Sequence, residues 1–223
     1  MKRLFIANRG EIAIRIAQTA ADLGLETIAA FSEDDAQSLH TRVCDTAASL
    51  EGTGPAAYLD IVGIVAKAKE AGADAVHPGY GFLAENGDFA RACADAGLTF
   101  VGPSPESLDL FGDKVAARRL AAELGVPLLP GTDGPTLLEV AQSFFSGLEA
   151  GTSAMLKAVA GGGGRGMRVV HRQEDLAEAF ERSQSEARTA FGRSDVFIEQ
   201  YLPHARHIDC LLYTSPSPRD NSG

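Results

Sequence analysis

Leu4-Phe5-Ile6-Ala7-Asn8-Arg9-Gly10-Glu11 is the stretch on which the fold turns. A four-residue apolar run breaks at Asn8 into a turn. Ile12, Ile16, Ala20 and Leu23 then recur at i, i+4, i+8 and i+11, the spacing of one helical face. Gly24 stops that helix, as a residue just beyond a helix C-terminus should. Thr27 to Phe31 reads as the next strand. The alternation continues with a helix from about Tyr58 to Ala71, whose apolar residues are Leu59, Val62, Val65 and Ala66 and whose stop is Gly72. A strand at Ala73 to Val76, a short helix at Phe89 to Ala96 and a strand at Thr99 to Val101 follow. Strands alternating with helices predict an α/β fold, a parallel sheet covered on both faces. Ligands of such sheets bind beyond the carboxyl ends of the strands, which is where the loops Asn8–Glu11 and His77–Asn86 fall.

Composition narrows the function classes. The 223 residues and 23.4 kDa suffice for one large domain or two small ones with a buried core. Lys+Arg is 20 against 30 Asp+Glu, a formal charge of −10, which argues against a nucleic-acid partner because phosphate backbones need a basic footprint. With 45% apolar residues and a mean hydropathy of −0.03, the chain reads as globular and not disordered. Its apolar runs fall short of the ~20 residues that span a bilayer, so no membrane partner is expected. Met1 to Asn8 turns polar too early for a secretory signal. Cys44, Cys93 and Cys210 are scattered, the pattern of free thiols in a reducing, cytoplasmic compartment.

From Pro103 the texture changes. Helical stretches at 105–111 and 113–124 lead into Gly125-Val126-Pro127-Leu128-Leu129-Pro130-Gly131-Thr132-Asp133-Gly134-Pro135, a turn-rich segment that reads as a boundary between domains. A helix (137–148), a strand (154–159), the run Gly161-Gly162-Gly163-Gly164-Arg165-Gly166, a strand (167–170), a helix (174–191) and a strand (195–201) follow. From about Leu212 the chain becomes Ser/Pro-rich and polar in the middle of what begins as a strand near His207. This reads as a natural disordered tail or, better, as non-native sequence replacing the true continuation.

Gly161 to Gly166 satisfies G-x-G-x-x-G, but a strand follows it where a dinucleotide-binding helix should, and no Gly-Lys-Ser/Thr follows either. The loop therefore joins two strands as a hairpin. Glycines let backbone N–H groups converge on an anion, and Arg165 adds a charged donor suited to phosphate. The bland alternative is a floppy surface hairpin. Lys157 sits in an otherwise apolar strand just before the loop; it either points out into water or faces an anion beneath the loop. Lys114 follows Asp113, a good N-cap. A cation in a first helical turn opposes the macrodipole by about 0.3–1 kcal/mol, a cost that solvent can remove or a phosphate can reverse. In Val196-Phe197-Ile198-Glu199-Gln200-Tyr201-Leu202, Glu199 suits ribose hydroxyls and the backbone suits an adenine edge; an exposed strand end fits equally well. His207 is either a nucleotide contact or an edge histidine. His77–Asn86 reads at its simplest as a packed turn with Tyr80 and Phe82 in the core.

Taken together, Ile6–Ala13, His77–Asn86, Phe100–Pro103, Gly112–Lys114, Lys157-Ala158 with Gly161–Arg168, and Arg206–Asp209 resemble the biotin carboxylase family in order and spacing over nearly all of Met1 to Cys210. The resemblance implies a Rossmann-like N-terminal domain over 1–112, the start of an ATP-grasp domain with its glycine-rich lid over 113–211, and a non-native or disordered tail over 212–223. In that family ATP phosphorylates bicarbonate. The resulting carboxyphosphate delivers CO2 to a ureido nitrogen of biotin, borne on a carrier protein or domain that also serves a carboxyltransferase in an acyl-CoA or pyruvate carboxylase.

The same resemblance implies that Lys114 and Lys157 hold ATP phosphates. Gly161, Gly162, Gly163, Gly164, Arg165 and Gly166 would close over them. Glu199, Gln200, Tyr201 and Leu202 would bracket adenine and ribose, and His207 would contact the nucleotide. Three positions depart from the family: Gln200 where lysine is frequent, Ala160 where glycine is frequent, and Asp209 where glutamate is usual. The family's Mg²⁺ ligands, bicarbonate and biotin arginines and general base would lie beyond Cys210, so no catalytic or metal residue is assigned. The chain alone is expected not to turn over, and the parent is expected to be a homo-oligomer. Another ATP-grasp ligase, of the carbamoyl-phosphate synthase or purine-pathway type, and a non-catalytic nucleotide-binding module are the alternatives. A NAD-dependent oxidoreductase fits least, because the first turn lacks the glycine spacing a pyrophosphate requires.

Overall fold

The computed structural model describes residues 1–159 and 166–206. The chain divides into two compact units, Met1–Gly112 and a second that begins at Asp113. In the first, the elements run β1 (Arg3–Ile6), α1 (Gly10–Asp22), β2 (Glu26–Phe31), α2 (His40–Val43), β3 (Thr46–Ser49), α3 (Gly54–Ala57), α4 (Ile61–Glu70), β4 (Ala75–His77), α5 (Gly87–Asp95), β5 (Thr99–Phe100) and α6 (Pro105–Gly112). The five strands form an entirely parallel sheet in the order β3-β2-β1-β4-β5. β1 lies between strands reached in opposite directions, so the loops after β1 and β4 share the carboxyl edge at the switch point.

Each face of this sheet is buried under helices. On one, Phe5, Ile28, Ala30 and Val76 pack with Tyr58, Ile64, Ala68, Phe89 and Cys93. On the other, Leu4, Ile6, Ala29 and Ala75 meet Ala13, Ile16, Ala17 and Ala20 of α1. Two expectations need correcting here. The helix read over 58–71 begins only at Ile61, after Asp60, whose carboxylate caps α4 by accepting from Gly63 N at 3.1 Å. Its core residues are Ile64 and Ala68, whereas Leu59, which precedes the helix, and Val62, on its outer side, are exposed. β3 and α2 also appear where no element was anticipated. β3 is Thr-Ala-Ala-Ser, small residues paired only to β2, and so carries little hydrophobic pattern.

The second unit holds α7 (Lys114–Glu123), α8 (Leu138–Ser146), β6 (Ala154–Ala158), β7 (Met167–Val170), α9 (Leu176–Phe191) and β8 (Val196–Gln200). Its strands form an antiparallel sheet ordered β7-β6-β8. One face is closed by α8 and α9. There Ala154, Leu156, Val170, Val196 and Ile198 pack with Ala141, Leu176 and Phe180. The turn-rich stretch 125–135, read as a boundary, lies inside this unit and runs along β8. Gln200 N donates to Pro130 O (2.8 Å), Thr132 N to Ile198 O (2.9 Å) and Thr136 N to Val196 O (2.8 Å). Proline and glycine signal a turn there, but the free edge of β8 offers the backbone partners that order it.

Candidate functional site

The chemistry of the second unit collects on the sheet face that α8 and α9 leave uncovered. Side chains alternate across a strand, so Met155 and Lys157 point opposite to buried Leu156. Register then decides what Lys157 meets. β6 and β8 pair Lys157 with Phe197 and Met155 with Glu199, which sets Glu199 diagonal to Lys157 on one face. The Lys157 Nζ forms an ion pair with Glu199 Oε1, and Arg118 Nη1 lies 3.5 Å from Glu199 Oε2. The Glu199 side chain is 9% exposed, so both charges act on it with little solvent between.

The third cation arrives on α7. Asp113 caps that helix, its Oδ1 accepting from Val115 N (2.8 Å) and Ala116 N (3.0 Å), and this sets Lys114 in the first turn. The Lys114 ammonium is pushed below its ordinary value, first by partial desolvation and then by the like charge of Lys157, with Glu199 opposing. Two lysines 43 positions apart in the chain thus sense each other and one carboxylate. β6 and β7 form the hairpin anticipated around the glycine run: Lys157 pairs with Met167, and Ala158 N donates to Gly166 O at 3.1 Å. Gly166 stands at its base with φ +70°. Gly161, Gly162, Gly163, Gly164 and Arg165 lie outside the described residues, as do Ala160, His207 and Asp209.

The remaining candidates separate. Glu199 is buried and paired, not an exposed strand end. Gln200, on the opposite face, lines a groove with Pro130, Thr132 and Phe144, so only its backbone serves the Glu199 side. Its N–H is engaged by Pro130 O, and that of Tyr201 by Ser153 O (2.8 Å). Leu202 is exposed where the strand has ended. Two contributors were not anticipated. Arg118 is one, although its i+4 spacing from Lys114 puts both on one helical face. The other is the 129–132 segment, whose Leu129 O accepts from Arg118 Nη2 at 2.9 Å.

The first unit has its own constellation at the carboxyl edge. Asn8 is buried, and its Nδ2 donates to Pro78 O (2.7 Å) and Tyr80 O (2.8 Å). His77 Nδ1 accepts from Gly79 N (3.0 Å), and burial pushes the imidazole below its ordinary value. Gly79 has φ +67°, and a Cβ there would lie 2.7 Å from Asn8 Nδ2. The simplest reading of this turn, with both aromatics packed inside, holds for Phe82 alone. Tyr80 is 59% exposed with its phenol on Glu11, while Phe82 packs inward and stacks on Tyr58 at 5.0 Å. Phe82 adopts φ +41°, which a glycine-flanked turn imposes. Below it, Tyr58 Oη donates to Asp35 (3.1 Å), whose carboxyl is held well below the usual range chiefly by the Arg9 guanidinium.

A parallel sheet followed by an antiparallel sheet with a glycine hairpin and facing lysines defines a chain of the ATP-grasp class. Comparison with known proteins narrows this. Biotin carboxylase, N-terminal domain, matches residues 1–108, and the ATP-binding domain of the carbamoyl-phosphate synthase L chain matches residues 113–214. The chain belongs to the biotin carboxylase family. It is 50% identical over 213 residues to pyruvate carboxylase of Staphylococcus aureus and 49% identical over 215 residues to mitochondrial pyruvate carboxylase of Homo sapiens, covering 94% and 95% of this chain. It spans 18% of the length of each of those relatives. Among solved structures, the Campylobacter jejuni biotin carboxylase–β-γ-ATP complex matches with TM-score 0.85 and 41% identity, over 90% of this chain and 45% of that one. The biotin carboxylase domain dimer of Hydrogenobacter thermophilus 2-oxoglutarate carboxylase, in complex with MgADP, ADP and bicarbonate, matches with TM-score 0.82 and 40% identity, over 91% and 44%.

Proposed function

We propose that this chain supplies the nucleotide-binding part of a biotin carboxylase, an ATP-dependent ligase that carboxylates carrier-bound biotin with bicarbonate. The observation that carries the reading is the ion pair of Lys157 with Glu199 on one sheet face, with Lys114 of α7 near enough for the charges to act on one another, where β6 leads into the glycine run. Among the described residues, two ammonium groups and a guanidinium gather around one carboxylate, an arrangement that suits a polyphosphate. Lys114 and Lys157 neutralise phosphate oxygens, and the Glu199 carboxylate keeps acceptor capacity for hydroxyl or amino groups of the nucleoside. The bound ligands of the Campylobacter and Hydrogenobacter proteins support ATP, Mg²⁺ and bicarbonate as the parent's ligands. Among the described residues no group of three or more His, Cys, Asp or Glu could hold a metal ion, so Mg²⁺ is given no ligand here. A carrier-borne biotin, a carboxyltransferase and homo-oligomeric assembly belong to the same reading, as does a cytoplasmic location. The likeness of residues 1–108 to the biotin carboxylase N-terminal domain favours this function over carbamoyl-phosphate synthesis.

The test is calorimetric titration of the full-length protein with ATP, together with bicarbonate-dependent ATP cleavage in the presence of biotin. Loss of tenfold or more in ATP affinity is expected for K114M and for K157M. Unchanged affinity in the double variant would remove the basis of the reading.

A further inference from the structure

Lys157 has two calls on one ammonium. It is the ion-pair partner of Glu199, and under the function proposed above it is also a phosphate ligand. A carboxylate this buried is costly to leave uncompensated. Arg118 offers a second cation, on the other carboxylate oxygen, at 3.5 Å. Its side chain is anchored independently, because Nη2 donates to Leu129 O. Leu129 leads into Pro130 and Gly131, which pair with β8 beside Glu199. Arg118 also stands one helical turn after Lys114. The rigid fork of a guanidinium lets one nitrogen hold the carbonyl while another faces the carboxylate, a fixed geometry that the rotatable donors of an ammonium do not impose.

We propose that Arg118 is a positioning residue of the nucleotide site: it holds the Glu199 carboxylate in place and compensated, so that Lys157 is free to engage a phosphate. The inference rests on the nucleotide-binding reading above, and its signature is energetic coupling between Arg118 and Glu199. With the carboxylate intact, removing Arg118 leaves the compensation of Glu199 to the lysines, Lys157 in direct ion pair with it, and that ammonium is withheld from phosphate. With the carboxylate neutralised, Lys157 is already released, and Arg118 has nothing left to compensate. A guanidinium that served only to pin Leu129, or only to add long-range positive charge, would matter equally in both backgrounds.

The experiment is a double-mutant cycle on the full-length protein, with ATP affinity read by calorimetry for wild type, R118M, E199Q and the double variant. R118M is expected to weaken ATP binding about tenfold in the wild-type background and less than threefold beside E199Q. Equal losses in the two backgrounds overturn the proposal while leaving the nucleotide site standing. Failure of the wild-type protein to bind ATP overturns both. Should R118M fold poorly, R118Q, which can still donate to Leu129 O without carrying charge, is read in the same cycle. Inorganic tripolyphosphate is the second probe. Its affinity should fall in R118M as that of ATP does, because the effect runs through Lys157. A loss confined to ATP would place Arg118 on the nucleoside instead and overturn the proposed route.

Discussion

Asn8 gives the sharpest test of how the first unit builds its carboxyl edge, because an isosteric change there should cost more than a truncation. Its buried amide donates to two carbonyl oxygens, those of Pro78 and Tyr80, at 2.7 and 2.8 Å, and its Oδ1 accepts from Arg9 N at 2.9 Å. In N8A the Pro78 carbonyl, itself buried, loses its partner, whereas Tyr80 and Arg9 are exposed enough for water to replace the bonds they lose. One unsatisfied buried acceptor costs about 1–3 kcal/mol. In N8D the volume is kept, but a carboxylate faces two carbonyl oxygens with no proton to give. An uncompensated buried charge costs roughly 3–5 kcal/mol, so the nearly isosteric variant should be the less stable one. In a unit of this size each kcal/mol is worth about 4–8 °C of melting temperature.

Urea unfolding followed by circular dichroism at pH 7 gives the order. Repeating it at pH 4 gives the cause. The introduced carboxyl is favoured in its protonated form, which can donate, so its folded pKa is raised. Its stabilisation is present below the unfolded value of about 3.9 and is lost as pH rises. The gap between N8D and N8A should therefore narrow on acidification. Equal stability of N8D and N8A at pH 7, or a gap that does not move with pH, would refute the reasoning.

Three further outcomes follow from the same geometry. His40 is fully buried, with Nε2 on Ala30 O at 3.1 Å, and burial pushes its pKa down. The unfolded chain takes the proton first, so stability should fall as pH drops below about 6.5, and H40Q should reduce that slope in urea unfolding between pH 7 and 5, leaving the part contributed by His77, whose pKa burial also lowers. Gly131 has no room for a side chain, since a Cβ would lie 2.9 Å from Glu199 Cβ and 3.1 Å from Ile198 O. G131A should cost roughly 1–3 kcal/mol in urea unfolding, as overpacked sites do, and should weaken ATP binding by the full-length protein in calorimetry. Leu156, fully buried between β7 and β8, should cost about 2–5 kcal/mol on truncation to alanine, while M155A on the open face should cost less than half of that in the same measurement.

Most of the first unit could be read along the chain because its signals are local. Apolar runs marked the strands, helical spacing marked α1, and Gly24, Gly72 and Gly97 marked helix ends. β3 escaped because an edge strand of threonine, alanine and serine has no pattern to read. The turn at 77–82 escaped for another reason: the carbonyls of Pro78 and Tyr80 are held by the Asn8 amide, about 70 positions away in the chain, which no local signal shows. In the second unit each lysine was visible as an anomaly, one opposing a helix dipole and the other interrupting an apolar strand. The stretch 125–135 was legible as turns but not as the partner of β8.

Local chemistry along the chain was thus enough for the element types, the covered parallel sheet and the two suspect cations. Which side of β6 Lys157 shares with Glu199, and the arrival of Arg118 on the far oxygen of that carboxylate, depended on strand register and on where α7 settles. Those are non-local quantities: a slip of one residue between β6 and β8 would leave every local signal unchanged and send Glu199 to the other face of the sheet.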